Sequence, residues 1–201
     1  MSEMSKERLV AFTDAVLAII MTILVLELER PSELTWSALW ELKTNFFAYA
    51  ISFFWLGTKW VNMHRAWDNV EKVNNRLVWI SMLLLFFSSF FHYTTSLVAS
   101  DFNSSVAQIV YGAIVMLVSF TNVWMYSELT NVATTNEAEA ATRSHNNWMC
   151  WDIAIKVIGM LLSMTVFPQV MMWAVLFTAV VIVVPRSIKK TRYKRVFCFI
   201  S

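Results

Sequence analysis

The chain has 201 residues, of which 58% are hydrophobic and 15% are charged, and its formal net charge is +2. Ordinary soluble domains carry about 25% charged residues. With a mean hydropathy of +0.55, this chain is therefore too apolar to be a soluble domain or a disordered segment. Three glycines, three prolines and two cysteines also exclude a collagen-like fibre and a disulfide scaffold. The remaining class is an all-α integral membrane protein.

Six apolar segments follow one another, and each is close to the roughly 20 residues that a bilayer-spanning helix needs. We predict a single domain of residues 1–201 with six transmembrane helices, at residues 9–28, 44–63, 77–98, 106–126, 149–167 and 170–185. Residues 31–43 predict a short interfacial helix, because tryptophans interleave there with charges. The apolar stretch 148–184 is divided at Pro168, since one helix of that length would be far longer than a bilayer is thick.

Basic residues are distributed unequally between the two sides that six spans create. Only Arg30 and Lys43 lie on one side. Twelve lie on the other: Lys6, Arg8, Arg65, Lys72, Arg76, Arg143, Arg186, Lys189, Lys190, Arg192, Lys194 and Arg195. Because cytoplasmic loops are enriched in Lys and Arg, this asymmetry predicts that both termini are cytoplasmic. The opposite side instead carries acidic residues, which favour cations there.

The first predicted helix, residues 9–28, contains the carboxylates Asp14 and Glu27, and Arg8 stands directly before it. Charged groups are unfavourable inside a membrane and are usually partnered or functional. Arg8 and Asp14 are about 120° apart around a helix, so we expect each to find partners on other helices. Trp60 and His64, at i and i+4 on the second helix, are candidates. One interpretation is an Arg–Asp–His–Trp network that locks helices together, and the other is direct ion coordination by Asp14.

Another face of the first helix carries Ile19, Ile23 and Leu26 at i, i+4 and i+7, with Thr22 beside them. By spacing alone this stripe is what packing against lipid or against another helix would require.

Signatures of enzymes are missing from the sequence, which has no GxSxG, HExxH, Walker A or GxGxxG motif. It also has no CxxC or Cys/His cluster. We therefore predict no enzyme, no metal site, no cofactor and no nucleic-acid partner. Its three glycines, Gly57, Gly112 and Gly159, are isolated and cannot build a selectivity filter of backbone carbonyls. Side chains would have to line any ion path.

The start of the first helix resembles the transmembrane protein 175 family. The family motif is Arg, three residues, then Phe-Ser-Asp, and this chain has Arg8 followed by Phe12, Thr13 and Asp14 before the apolar run AIIMTILVL. The Trp-x-x-x-His pattern that ends the second helix and the six-span layout are also similar.

The resemblance is best over residues 8–28, fair over residues 55–98 and topological beyond them. Thr13 replaces the usual Ser of the motif, which is a conservative change. The Pro-Phe pair often found late in the third helix is absent, and residues 91–93 (Phe-His-Tyr) stand in that region.

The resemblance implies a potassium-selective channel, since this is the family of the endosomal and lysosomal potassium channel and its prokaryotic relatives. Prokaryotic members have one six-helix repeat per subunit and form homotetramers whose first helices line the pore. Carried over to this chain, the apolar constriction falls on Ile19, Ile23 and Leu26, with Thr22 as the adjacent hydroxyl. The motif network lies behind that constriction. The implied partners are K+ ions, the lipid bilayer of a prokaryotic plasma membrane and three further copies of the chain.

Two alternatives stay open at this point. The first is a secondary transporter that uses Asp14, Lys59 or Lys156 as coupling sites, although transporters usually show internal repeats and broken helices. The second is an accessory subunit that conducts nothing. Asp152 and Lys156, at i and i+4, are predicted to pair on one helix, whereas the roles of His92 and of the basic C-terminal tail are undetermined.

Overall fold

The computed structural model describes residues 5–68, 70–132, 136–165 and 167–183, without the side chains of residues 136–148 and 181–183. All regular structure in these ranges is helical. The α-helices are α1 (Lys6–Ile23), α2 (Trp36–Glu41), α3 (Lys43–Trp67), α4 (Asn75–Ser89), α5 (Phe91–Ser100), α6 (Ser105–Asn131), α7 (Asn136–Thr165) and α8 (Val170–Phe177). A 3₁₀ turn, Leu24–Glu27, extends α1, and a π-helical turn, Thr178–Val183, extends α8.

Within the residues that the structure describes, three helical stretches are long and apolar enough to cross a membrane. These are Lys6–Glu27, Asn75–Ser100 and Ser105–Asn131, and a shorter apolar helix covers Val170–Val180. The described part of the chain is therefore an all-helical membrane protein, as the composition predicts. The count of six spans and the cytoplasmic position of both termini stay predictions.

Polar caps set the beginnings of four helices, because the first N–H groups of a helix have no partner within it. The side-chain oxygens of Ser5, Thr35, Asn74 and Ser104 accept hydrogen bonds from backbone N–H groups three residues further along. The caps explain why α4 and α6 begin one or two residues before the apolar segments from which they were predicted.

The stretch predicted as one helix at residues 77–98 consists of two helices that meet at Phe90. At this point the N–H of Phe90 donates to the carbonyl of Phe87 (3.3 Å). The Ser89 hydroxyl donates to the carbonyl of Phe86 (2.7 Å), and the Thr94 hydroxyl donates to that of Phe90 (3.1 Å). Hydroxyls that bond back to the preceding turn bend helices, which accounts for the break.

The helix α7 begins at Asn136, earlier than the predicted span at residues 149–167. It ends at Thr165, and α8 begins on the other side of Pro168. The Ser163 hydroxyl donates to the Pro168 carbonyl (2.6 Å) and closes this connection. Proline lacks the N–H that a continuing helix needs, so the chain reverses here and α8 returns along α7.

The interior of the bundle is built on α3, α5 and α6. The Trp55 ring stacks on Phe91 with ring centres 4.9 Å apart, and Phe91 meets Tyr111 edge to face at 5.8 Å. Beside these rings, Thr95 donates to Ser52 (2.8 Å), whose hydroxyl lies 3.2 Å from that of Tyr111. Buried hydroxyls need such partners inside a membrane protein. The rings and hydroxyls together fix the scaffold on which α1 packs, since α1 lies against α3 and α4 and its 3₁₀ turn against α5.

Candidate functional site

The helix α1 has one packed face and one open face. The packed face carries Leu9, Thr13, Leu17 and Ile20 and continues to Leu24 of the 3₁₀ turn, and all five are buried. Their spacing of three or four residues is that of a single helical stripe. This stripe holds α1 in the bundle and determines which of its residues point outward.

The open face carries the predicted constriction residues. Ile19 is 56% exposed, Ile23 is 37% exposed and Leu26 is 76% exposed. Phe12 is also exposed and lies on the same face, about two turns nearer the N-terminus than Ile19. At about 100° per residue, these positions centre roughly 110° around the helix from the packed stripe. No other part of the described chain covers them, so α1 presents an uncovered apolar surface along most of its length.

Two threonines of α1 lie on different faces. The Thr13 hydroxyl is buried and donates to the carbonyls of Leu9 and Val10, both at 2.9 Å. The Thr22 hydroxyl is exposed beside the apolar stripe and donates to the carbonyl of Ile19 (2.9 Å). A hydroxyl that donates in this way keeps acceptor lone pairs, so Thr22 is the one predicted constriction residue with a polar atom to offer on that face.

The charged residue of α1 that finds a partner in the described chain is Asp14. The Trp60 Nε1–H donates to Asp14 Oδ1 (2.9 Å), which joins α1 to α3. The Trp60 ring lies 5.9 Å from the His64 ring, tilted by 31°. The structure therefore brings together three members of the predicted network, with Asp14 bonded to Trp60 and His64 packed behind it.

The fourth member, Arg8, lies apart from this group. Its side chain is exposed on the open face of α1, near Phe12, and it makes no ion pair with the residues that the structure describes. The reason is the angle of about 120° between positions six apart on one helix, which places Arg8 and Asp14 on different faces. The same angle follows from the sequence, so the predicted network was wrong to group Arg8 with Asp14, Trp60 and His64.

A second group of charges lies between α3 and α7. Lys156 Nζ is 2.5 Å from Asp152 Oδ2, as the i, i+4 spacing predicts, and Lys59 Nζ is 3.8 Å from the same oxygen. Sequence reasoning treated Lys59 as separate from this pair. The signal that was available is that all three charges fall in the predicted cytoplasmic halves of apolar segments.

A buried carboxylate missed by sequence reasoning joins α4 to α6. The Asn74 side-chain amide donates to Glu128 Oε1 (2.7 Å), and Arg76 lies 3.7 Å from Glu128 Oε2. Asn74 is also the cap of α4, so one residue both starts that helix and attaches it to α6. In the described ranges, no three His, Cys, Asp or Glu side chains are grouped so that they could hold a metal ion.

Comparison with known sequences gives matches in one family. The family described as the endosomal/lysosomal potassium channel TMEM175 matches residues 8–91. A potassium channel of a Chryseobacterium species is 38% identical over 120 residues, which are 59% of this chain and 62% of that one. A potassium channel of Streptomyces collinus is 30% identical over 129 residues, covering 59% and 63%. The chain thus spans a little over three fifths of the length of these relatives.

Comparison with solved structures extends over more of the chain. The crystal structure of a lysosomal potassium-selective channel TMEM175 homolog from Chamaesiphon minutus superposes with a TM-score of 0.68 at 25% identity, covering 86% of this chain and 96% of that one. A variant of the potassium channel MtTMEM175, solved with a nanobody fusion, has a TM-score of 0.62 at 18% identity, covering 94% and 93%, and shows the fold alone. Together with the match over residues 8–91, these relatives show that the chain is similar to the endosomal/lysosomal potassium channel TMEM175 family in sequence and in fold.

Proposed function

We propose that this chain is one subunit of a homotetrameric, potassium-selective channel in a prokaryotic plasma membrane, with six spans and both termini in the cytoplasm. Similarity to this family and the names of the relatives support passive K+ conduction as the activity. No cofactor enters the proposed mechanism, in which K+ is the permeant ion and the bilayer and three further subunits are the partners.

The observation that carries this proposal is the open face of α1. The helix with the family motif presents Ile19, Ile23 and Leu26 outward, while a separate face of it is packed into the bundle. Four copies arranged around an axis would turn these faces toward one another and form successive apolar rings. Hydrophobic constrictions of this kind gate by dewetting, since a narrow apolar ring expels water and blocks ions until it widens.

Selectivity for K+ over Na+ follows from the same geometry. An apolar ring offers no oxygen ligands, so an ion must pass it with part of its hydration shell removed. K+ gives up water at a lower cost than the smaller Na+, and a ring of suitable width therefore favours K+. Thr22 adds a hydroxyl oxygen beside the rings, where it can replace a lost water molecule.

The bond between Asp14 and Trp60 would hold α1 in register behind the rings. A carboxylate that accepts an N–H bond in an apolar environment is held more strongly than in water. The bond lies toward the N-terminal end of α1, whereas the stripe lies toward its C-terminal end. Movement of α1 about this anchored end would widen or narrow the rings and so open or close the path.

Ion flux through the purified full chain, reconstituted in planar bilayers, tests the proposal. With KCl on one side and NaCl on the other, we expect ohmic currents whose reversal potential approaches the equilibrium potential of K+. Flux that saturates and is coupled to a second gradient would instead indicate the transporter. Absence of any flux from a stable oligomer would indicate the accessory subunit. Either result would contradict the channel.

A further inference from the structure

Two lysines and one aspartate meet between α3 and α7, away from the packed stripe of α1. Lys156 is fully buried, Asp152 is 2% exposed and Lys59 is 8% exposed. Charged groups in the interior of a membrane bundle are rare and mark functional positions unless they are simply paired. This cluster is more than a simple pair, since it places two cations around one carboxylate oxygen.

The neighbours of the cluster accommodate both cations. Lys59 Nζ lies 4.9 Å and Lys156 Nζ lies 5.0 Å from the centre of the Trp55 ring, whose face attracts cations. Lys156 Nζ also donates to the Ser119 hydroxyl of α6 (3.4 Å). The Trp55 ring and the Ser119 hydroxyl therefore both contact the Lys156 ammonium, in addition to Asp152.

The two lysines differ in what they connect. Lys156 and Asp152 lie at i and i+4 on α7, so this pair would form wherever α3 is placed. Lys59 is the cation that α3 contributes to the carboxylate of α7. Its bond to Asp152 depends on the rotation and depth of α3 in the bundle, and the bond in turn fixes both.

The residue that follows Lys59 is Trp60, which donates to Asp14 of α1. Consecutive residues are about 100° apart around a helix, so Lys59 reaches α7 on one side of α3 and Trp60 reaches α1 on another. A rotation or shift of α3 that moves one of these side chains necessarily moves the other.

We propose that Lys59 is a positioning residue for α1: its ion pair with Asp152 holds α3 in the register from which Trp60 bonds Asp14. Through α3, the helices α7 and α8 are then mechanically linked to the motif helix. The link is a statement about structure, whereas its effect on conduction rests on the proposed function.

The surplus cation allows a matched pair of variants. Lys59→Met and Lys156→Met each remove one ammonium and leave one carboxylate with one ammonium, so neither creates the unpaired buried charge that destabilises a protein most. Both keep a long, flexible side chain that packs well on an aromatic ring. Only Lys59→Met removes the ion pair between α3 and α7, and Lys59→Arg restores the charge.

The structural part is tested by 19F NMR on the full chain labelled with 5-fluorotryptophan. The signal of Trp60 is the one that Trp60→Phe removes, and Asp14→Ala shows its position when the bond is lost. We expect Lys59→Met to move the Trp60 signal toward its position in Asp14→Ala, and Lys156→Met and Lys59→Arg to leave it in place. The proposal is overturned if Lys59→Met leaves the signal unmoved while Asp14→Ala moves it, or if both lysine variants move it equally.

The functional part is tested by single-channel recording of the same variants. Coupling between distant sites is typically modulated by an amount that corresponds to roughly two- to thirtyfold in an equilibrium. We expect Lys59→Met to change the open probability by about that factor at unchanged unit conductance, and Lys156→Met to change neither. Equal open probabilities in a conducting wild type and in Lys59→Met would overturn this part. A wild type that conducts nothing would contradict the proposed function, and the NMR result alone would then decide the positioning role.

Discussion

At the scale of single residues, the molecule is organised around a hydrogen bond between two side chains that are 46 positions apart. Asp14 is a carboxylate within an apolar helix, and the Trp60 indole N–H satisfies one of its oxygens (2.9 Å). Tryptophan suits this position because its ring packs against apolar neighbours while its N–H offers a single directed donor. The bond therefore satisfies one oxygen of a charged group that is unfavourable in an apolar helix, and it orients α1 on α3.

Replacement of Trp60 by Phe removes the donor and keeps an aromatic ring. A hydrogen bond to a charged group typically contributes about 1.5–3 kcal/mol, and both partners are partly exposed in the single chain. We expect a loss near the lower end of that range and a fall in the thermal unfolding midpoint of about 3–6 °C. The control is Asp14→Asn, whose amide oxygen still accepts from Trp60. Trp60→Phe should lower the midpoint more than the control does, and the reverse order would refute the role of the bond.

The bond between Asp14 and Trp60 was predictable because charge, hydropathy and the angle between helix positions can all be read from the sequence. A carboxylate in an apolar stretch must find a partner, and Trp60 and His64 share one face of the next helix. The position of Arg8 was not determined by that reasoning, because a long side chain near the end of a helix can reach solvent or a headgroup instead. Likewise, the i, i+4 pair of Asp152 and Lys156 is local, whereas the approach of Lys59 depends on how α3 and α7 pack.

At the scale of helices, α7 and α8 approach each other closely at Gly159. A Cβ placed on Gly159 would lie 2.7 Å from the Cβ of Ala174, on the returning helix. Small residues at such contacts allow helix backbones to approach, which is a main source of attraction between helices in membranes. Gly57 of α3 differs, because a Cβ there would meet only the terminal methyl of Met21 at 3.4 Å.

The two glycines give opposite predictions for the same change to alanine. Gly159→Ala would push α7 and α8 apart, and overpacking of this kind typically costs about 1–3 kcal/mol. Gly57→Ala adds a methyl group in ordinary contact and gains up to about 1 kcal/mol of helix propensity. Thermal unfolding of both variants in one detergent should show a lower midpoint for Gly159→Ala and an equal or higher midpoint for Gly57→Ala. Similar midpoints for the two would rule out the close contact.

The break at Pro168 was predictable because Pro168 is the only proline between Trp148 and Val184. The starts of α4 and α6 were predicted one or two residues late, because the caps Asn74 and Ser104 stand before polar residues that the hydropathy pattern does not include. The break at Phe90 was not predictable in the same way. Serine and threonine hydroxyls can bond back to the preceding turn or point elsewhere, and only the packing of α5 against α3 and α6 decides which they do.

At the scale of the whole molecule, the open face of α1 requires a partner, a lipid surface or both. Other helices also expose apolar side chains, as expected of a protein surrounded by lipid, so exposure alone does not identify a pore. The open face of α1 differs from the other exposed apolar surfaces because the same helix carries the family motif. The proposed tetramer covers the faces of four α1 helices with one another and leaves the remaining apolar surface for lipid.

Native mass spectrometry of the chain released from detergent micelles measures the assembly directly. Four copies of a 23.3 kDa chain should give a complex of about four times that mass, because a pore lined by one helix per subunit needs several subunits to close it. A tetramer that withstands mild activation would support the proposed arrangement. A monomer over the whole accessible concentration range would exclude it.

The central claim is that the open face of α1, and no other apolar surface of the chain, lines the ion path. The most direct measurement is the K+/Na+ permeability ratio, taken from reversal potentials in planar bilayers, of two matched variants. Ile23→Ala trims the proposed ring, whereas Ile158→Ala makes the same change at an isoleucine of α7 that is 57% exposed. The account predicts a larger leak and a several-fold lower ratio for Ile23→Ala, with Ile158→Ala like the wild type. Unchanged conductance and selectivity in Ile23→Ala would contradict it.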